Sequence, residues 1–141
     1  MVNENKYNLF LDDVRFPETA FNYTHDVGYL KESWKIARNF SEFCCMVDEH
    51  GIPQKVSYDH DLADEHYAPE MYHSVEAYDQ VGLDFKEKTG YDCAVYLLDR
   101  LEENGLTEHP EYMVHSMNPV GKRKIMDLIE SWNKNKNKKK Q

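Results

Sequence analysis

The sequence predicts an α/β fold, a three-layer sandwich in which helices flank a mostly parallel sheet of about four to five strands. Short apolar segments alternate along the chain with segments of helical periodicity. Polar or acidic residues follow these short segments, as at the carboxyl ends of strands in such sheets. The length of 141 residues, 40% of them hydrophobic, suits one domain with a full core and is too short for two ordinary domains.

The first half of the chain contains three predicted strands and one helix. Tyr7 to Leu11 is short, apolar and followed by acids, which indicates a buried strand. Ser33 to Arg38 alternates and predicts a second strand, whereas Phe16 to Glu32 lacks a helical period and is expected to be a long loop. Ser41 to Gly51 predicts a helix capped by its serine and ended by its glycine. Lys55 to Tyr58 predicts the third strand.

The second half adds two helices around a fourth strand. Thr89 to Gly105 predicts a helix, because its leucines and alanine recur on one face. Tyr112 to His115 predicts the fourth strand. Asn118 fits the cap of a last helix, with Pro119 in its first turn and an apolar stripe that reaches Trp132.

The predicted domain covers residues 1–132 and carries one insertion. Residues 62–88 are acidic, rich in Tyr and His, and weakly periodic, so they predict either a lid beside the site or an inert decoration. Residues 133–141 hold five lysines and no acid, which predicts a basic disordered tail.

Charge and hydropathy limit the function. The net charge is −9, and without the tail's five lysines 12 basic residues face 26 acidic ones, which gives −14. Such a body repels nucleic-acid backbones, so a long nucleic acid is a poor partner and a small anionic ligand held through metal is a better one. No apolar run approaches the roughly 18 residues that span a bilayer, and no signal-peptide pattern is present. We therefore expect a cytoplasmic protein without membrane partners, whose oligomeric state the sequence leaves open.

Two acidic clusters follow the first and third predicted strands. Asp12 and Asp13 end the first, and Asp59 and Asp61 follow the third. Like charges at one sheet edge repel, and hard divalent cations prefer oxygen ligands. The four carboxylates therefore predict a Mg²⁺ or Mn²⁺ site; the alternative is that they cap turns or helix starts.

The segment "VHSMNPVGKRK", residues 114–124, predicts an anion site beyond the fourth strand. His115 and Ser116 end that strand, and Asn118 starts a helix whose first amides and positive dipole end attract phosphate, with Lys122 nearby. Simple capping by Asn118 is the other interpretation, and both can hold together.

Two side chains beside the acids have two interpretations each. Arg15 could bind phosphate through two hydrogen bonds or neutralise Asp13. His60, between two aspartates, could move a proton near neutral pH, or alternation along the strand could direct it into packing.

Four motifs together resemble the cyclic-phosphate processing receiver domain family, a branch of the receiver-like Rossmannoid folds. They are "LFLDDVRFP", "VSYDHDL", "TGYDCAVYLL" and "VHSMNPVGKRKI", and the resemblance runs from Tyr7 to about Trp132, apart from residues 62–88 and the first loop. It implies a receiver-like parallel sheet, acids that bind a divalent cation, and processing of cyclic phosphates. Asp59 takes the place of the phosphorylated aspartate of response regulators, but the first crossover helix is not evident, which argues against phosphorelay.

The expected function is a metal-dependent phosphoesterase that opens a small cyclic phosphate of nucleotide, RNA-terminal or ADP-ribose type. The predicted cation ligands are Asp12, Asp13, Asp59 and Asp61. The predicted phosphate-binding residues are Arg15, Ser116, Asn118 and Lys122. The predicted catalytic residues are Asp59, His115 and His60. The alternatives are a non-catalytic protein that sequesters a cyclic nucleotide and a phosphorylatable receiver-type signalling module.

Overall fold

Four parallel strands form a single sheet in the computed structural model, which describes residues 6–62 and 88–140. They are β1 (Asn8–Leu11), β2 (Trp34–Ala37), β3 (Lys55–Tyr58) and β4 (Glu111–Val114). Their order across the sheet is β2-β1-β3-β4. The predicted α/β class and parallel sheet are confirmed.

The strand register aligns the carboxyl ends of the three strands that matter for the site. Phe10 of β1 is opposite Ser57 of β3, and Ser57 is opposite Met113 of β4. The residues that follow β1, β3 and β4 therefore leave the sheet side by side at one edge, where ligands bind in open α/β sheets.

Five helices of the described residues flank this sheet. They are α1 (Pro17–Thr24), α2 (Gly28–Lys31), α3 (Phe40–His50), α4 (Gly90–Glu103) and α5 (Pro119–Lys140). No helix in this part of the chain is long and apolar enough to cross a bilayer.

The prediction of a long loop from Phe16 to Glu32 was wrong, because this segment contains α1 and α2. Helix α1 buries only Pro17 and Ala20, and its N-cap side chain makes no capping hydrogen bond. A buried face of only two residues produces no helical periodicity that can be recognised in the sequence. Short helices gain most of their stability from tertiary packing, here against the side of the sheet that carries Phe10.

The other helices lie close to their predicted positions, with different caps and ends. Asn39 rather than Ser41 caps α3, since its side chain accepts from the Glu42 N–H at 2.9 Å. Helix α5 was expected to stop near Trp132 before a disordered tail, but it continues through Lys140. The Asn133 side chain accepts from the His109 N–H at 2.8 Å, so this residue is attached to the domain. The predicted insertion, apart from its end residues 62 and 88, lies outside the described residues.

Two apolar clusters cover the two faces of the sheet. The larger one joins Leu9, Val56 and Tyr58 of the strands to α3, α4 and α5. The smaller one packs Phe10 against Ala20 and Tyr29 of α1 and α2. Since each face of the sheet is covered by helices, the architecture is the predicted three-layer sandwich.

Candidate metal centre

Asp12, Asp59 and His115 meet at the carboxyl edge of the sheet. They directly follow β1, β3 and β4, the strands whose ends the register aligns. One potential ligand atom of each residue lies within 4.8 Å of the others. Their exposed fractions are only 0%, 2% and 2%. Three of the residues predicted for the site thus form one buried cluster.

Asp12 is held as a carboxylate by several donors. Its Oδ1 accepts from the Val14 N–H at 3.0 Å and the Arg15 N–H at 2.8 Å. Its Oδ2 lies 3.0 Å from His115 Nε2. Burial by itself would raise the pKa of Asp12, but these hydrogen bonds outweigh it and lower the pKa below its usual value. Asp12 is therefore ionised at neutral pH.

His115 is fixed from both ring nitrogens and from its ring face. Its Nδ1 lies 2.7 Å from Ser57 Oγ, on the side of the ring opposite Asp12. The Phe10 ring stacks on the imidazole at a centroid distance of 4.4 Å. Burial lowers the pKa of His115 and outweighs the raising effect of Asp12. The imidazole is therefore neutral near pH 7 and can offer a lone pair.

The pKa of Asp59 is shifted in the opposite direction from that of Asp12. Its Oδ1 accepts from the His60 N–H at 2.9 Å, but its buried Oδ2 has no hydrogen-bond partner within the described residues. Burial first, and then the charges of Asp12 and Asp61, raise the pKa of Asp59 to about 8. An ionised oxygen in this environment is costly unless a proton or a cation offsets its charge.

The donor set fits a divalent cation. Two carboxylates supply the oxygen ligands that Mg²⁺ and Mn²⁺ prefer, and the Asp59 oxygen, which has no donor in residues 6–62 and 88–140, is the kind of group that a cation stabilises. The imidazole nitrogen favours Mn²⁺ over Mg²⁺, because Mg²⁺ selects oxygen ligands and water.

Asp13 and Asp61 are not members of the cluster found in the described residues. Asp13 is half-buried, and its charge adds to the forces that raise the pKa of Asp59. Asp61 Oδ1 instead lies 2.8 Å from His60 Nδ1 and accepts from Asn118 Nδ2 at 3.2 Å. Their role as cation ligands stays a prediction.

His60 lies in packing, in agreement with the alternative interpretation of its position. The side chain is fully buried, and a Cβ at Gly121 would come within 2.4 Å of its ring. Together with Asp61 it connects the end of β3 to the start of α5. These contacts do not test the catalytic role predicted for His60, which stays a prediction.

The four predicted phosphate-binding residues lie at three places: the start of α5, the side of Asp12, and the protein surface. Asn118 caps α5, since its Oδ1 accepts from the Gly121 N–H at 3.0 Å, and Ser116 Oγ accepts from the Asn118 N–H at 3.1 Å. Arg15 lies beside Asp12, with Nη1 3.7 Å from Asp12 Oδ2. Lys122 is exposed and lines a surface groove with Tyr112 and Met126.

Three residues of the site have no obvious signal in the sequence. Ser57, in the middle of β3, holds His115, and its only signal is a hydroxyl in an apolar strand. Gly90 allows α4 to approach the end of β3, because a Cβ there would lie 1.9 Å from the Asp59 carbonyl oxygen. Gly121 makes the same kind of space for the His60 ring. These close approaches exist only in the folded chain.

A family model described as the cyclic-phosphate processing receiver domain matches residues 7–131, which include every element from β1 to most of α5. No curated protein and no solved structure matches the chain.

Proposed function

Since the chain belongs to the cyclic-phosphate processing receiver domain family, we propose that it is a metal-dependent phosphoesterase that opens a small cyclic phosphate. The observation that carries the proposal is the buried cluster of Asp12, Asp59 and His115, in which one Asp59 oxygen has no donor among the described residues. The substrate is a nucleotide, RNA-terminal or ADP-ribose cyclic phosphate, because the acidic chain repels long polyanions.

Asp12, Asp59 and His115 would hold Mn²⁺ or Mg²⁺. When bound there, the cation would polarise a phosphoryl oxygen and lower the pKa of water. The two aspartates reach it from different strands, so the sheet itself sets their separation. Burial of all three side chains excludes bulk water and strengthens their electrostatic effect on a bound anion.

Two side chains at the mouth of the cluster would orient the phosphate. The Arg15 guanidinium lies next to Asp12 with about a quarter of its side chain exposed, so it can bind an anion from solvent. Ser116 Oγ accepts one hydrogen bond from the Asn118 N–H, and its own O–H can donate to a phosphate oxygen. The positive end of the α5 dipole adds to this anion-binding edge.

Ring opening breaks one P–O bond and leaves a phosphate monoester and a hydroxyl group, so a proton must reach the leaving oxygen. His115 cannot supply this proton from Nε2 while Nε2 holds the cation, so in this scheme His115 contributes as a cation ligand and the leaving oxygen takes up a proton that the attacking water releases. His60 is engaged by Asp61 and packed against Gly121.

A phosphorylatable receiver module is the second candidate, favoured by one specific observation. Helices α1 and α2 follow β1, so a first crossover is present, and the order β2-β1-β3-β4 agrees with flavodoxin-like sheets. In that case Asp59 would accept a phosphoryl group instead of holding a cation for hydrolysis.

The test is a panel of 2′,3′-cyclic, 3′,5′-cyclic and ADP-ribose cyclic phosphates followed by phosphorus NMR with Mn²⁺, with Mg²⁺ and with chelator. We expect metal-dependent opening of at least one member, lost in Asp59→Asn and strongly reduced in His115→Ala. Asp48→Asn, which alters an exposed acid of α3, is the matched control and should keep full activity.

The panel also separates the alternatives. Tight binding of a cyclic nucleotide without turnover would replace the proposal by a sequestering protein. Neither binding nor turnover, together with acetyl-phosphate labelling of wild type but not of Asp59→Asn, would replace it by the receiver module.

A further inference from the structure

One face of helix α5 carries exposed bases and acids that the proposed function does not use. The face contains residues at the three- and four-residue spacing of neighbours on a helix surface, and they line a groove of about 430 Å³: Pro119, Lys122, Arg123, Met126, Asp127 and Glu130. We call these six residues the α5 stripe. Its four charged members are exposed, and Met126 is half-buried.

The charges of the α5 stripe are separated by sign, and helix stability does not explain their order. Lys122 and Arg123 come first, Asp127 and Glu130 come last, and Met126 lies between the two pairs. The positive end of the helix dipole disfavours bases near the start of a helix. Although Arg123 and Asp127 have the spacing of an ion pair along a helix, no ion pair within the part of the chain that the structure describes includes any of the four charged residues.

This order of charges is complementary to itself when two copies of the helix are antiparallel. Lys122 and Glu130 are equally distant from Met126 along the chain. A two-fold axis beside Met126 therefore brings Lys122 of each copy opposite Glu130 of the other, and Arg123 opposite Asp127 and Glu130. Because the axis repeats every contact, each pairing of a base with an acid forms twice, and the two Met126 side chains meet at the centre.

The surface beside the α5 stripe offers apolar area to bury. Lys122 and Met126 also line a second groove, of about 510 Å³, whose wall on the sheet side includes Tyr112, Met113 and Val114 of β4. Strand β4 lies at one edge of the sheet, and Tyr112 and Met113 are half-buried. An apolar centre bordered by charged groups is the usual composition of a protein–protein interface.

We propose that the α5 stripe is the interface of a symmetric homodimer, in which two copies of this chain pack their α5 helices antiparallel about Met126. The proposal goes beyond the proposed function and does not depend on its metal site. With a net charge of −9 two copies repel each other, so an interface between them needs bases placed against acids, as in this arrangement. One helix face and a groove beside it form a small interface, so we expect a transient dimer with a Kd on the order of 10–100 µM.

The test is sedimentation equilibrium of the full chain and of three double variants. Lys122→Glu with Arg123→Glu leaves only acids on the stripe, and Asp127→Lys with Glu130→Lys leaves only bases. Each should weaken dimerisation by about 30-fold or more, because like charges then face each other across the axis. The matched control, Lys31→Glu with Lys35→Glu, changes the net charge as the first variant does, but at exposed positions in α2 and in β2 at the other edge of the sheet. It should keep the affinity of wild type.

An equimolar mixture of the all-acid and the all-base variant should form a heterodimer, because acids of one copy then face bases of the other on both sides of the axis. Damage to the fold could not produce this rescue. If either variant fails to fold, the chain with all four substitutions decides, since it exchanges bases and acids and should dimerise like wild type. A mixture or a fourfold variant that stays monomeric overturns the proposal. A monomeric wild type also overturns it and would leave the α5 stripe to a partner protein of different sequence.

Discussion

At the scale of single residues, the supply of hydrogen-bond donors sets the charge of the two buried aspartates in the cluster. Asp12 and Asp59 are both buried aspartates at strand ends, yet the pKa of Asp12 is lowered and that of Asp59 is raised to about 8. The difference is the supply of donors: Asp12 accepts from two backbone N–H groups and lies within hydrogen-bonding distance of His115, whereas one Asp59 oxygen has no donor in the part of the chain that the structure describes.

Asp59→Asn should therefore stabilise the metal-free protein at alkaline pH. The folded pKa of about 8 exceeds the ordinary value of 3.8, so the native state binds more protons between these values and wild type loses stability as pH rises from about 4 to 8. Between pH 6 and pH 8 the free energy of unfolding of wild type should fall by about 2 kcal/mol through Asp59, and the variant should lack this loss. Urea unfolding with chelator at pH 6, 7 and 8 measures the free energy of unfolding of both proteins. If it depends on pH equally in the two, the prediction is contradicted.

His109, which is not a member of the cluster, gives a second pH effect. Its Nδ1–H donates to the Pro110 carbonyl at 2.7 Å and its Nε2 accepts from the Tyr58 hydroxyl at 2.8 Å. Burial lowers the pKa of His109 to about 4 from 6.5. The unfolded chain therefore binds the proton first, and stability falls as pH drops from about 6.5 to 4.

Through His109, the free energy of unfolding should fall by about 3 kcal/mol as the pH drops from about 6.5 to 4. Urea unfolding of wild type and His109→Gln at pH 7 and pH 4.5 measures it. The variant should lack this part of the acid sensitivity, although its stability at pH 7 is lower. An identical acid response in the two proteins would show that His109 does not titrate in this way.

At the scale of elements, two glycines allow helices α4 and α5 to begin in contact with the segment after β3. Gly90 opens α4 against the Asp59 backbone, and its N–H donates to the His60 carbonyl at 2.8 Å. Gly121 lies in the first turn of α5 against the His60 ring. The helices thus fix the loop that carries Asp59, since neither can approach it with a larger residue.

Alanine substitutions at Gly90, Gly121 and Gly28 should lower the free energy of unfolding by clearly different amounts. Gly90→Ala places a Cβ 1.9 Å from a backbone oxygen and should cost about 3 kcal/mol or more; Gly121→Ala meets a buried ring and should cost about 1–3 kcal/mol. Gly28→Ala, the matched control in α2, meets only side-chain ends at 3.0 and 3.1 Å and should be close to neutral. Thermal unfolding of the three variants tests the order, and a Gly90→Ala protein as stable as Gly28→Ala would contradict this packing.

At the scale of the whole molecule, the cluster connects three strands that are distant along the chain. Asp12, Asp59 and His115 follow β1, β3 and β4, so a ligand that binds all three ties the sheet edge together. Such a site is absent from the unfolded chain, and binding free energy therefore adds to folding stability.

Mn²⁺ should raise the melting temperature of the wild type. At a free concentration 100 times its Kd it adds about 2.7 kcal/mol, which corresponds to a rise on the order of 10 °C for a domain of this size. The Asp12→Asn, Asp59→Asn double variant should show no such rise. Differential scanning calorimetry with and without Mn²⁺ measures both, and an equal shift in the two proteins would place the cation elsewhere.

The sequence by itself determined the class of fold, three of the four strand ends with their polar residues, and the candidates Asp12, Asp59 and His115. These were predictable because they depend on local patterns: short apolar segments, acids directly after them, and a cap with proline at the start of α5. The family also followed from these motifs, and the match over residues 7–131 confirms it.

Tertiary structure decided the rest. Helices α1 and α2 are stabilised by packing on Phe10 and not by a periodic stripe, so their sequence resembled a loop. Asp61 and Asp59 are two residues apart, yet only Asp59 joins the cluster, because Asp61 pairs with His60 and Asn118. The link from Ser57 and Tyr29 to His115 joins residues up to 86 positions apart. Donor geometry and desolvation, which set the pKa values of the cluster, arise only when the chain is folded.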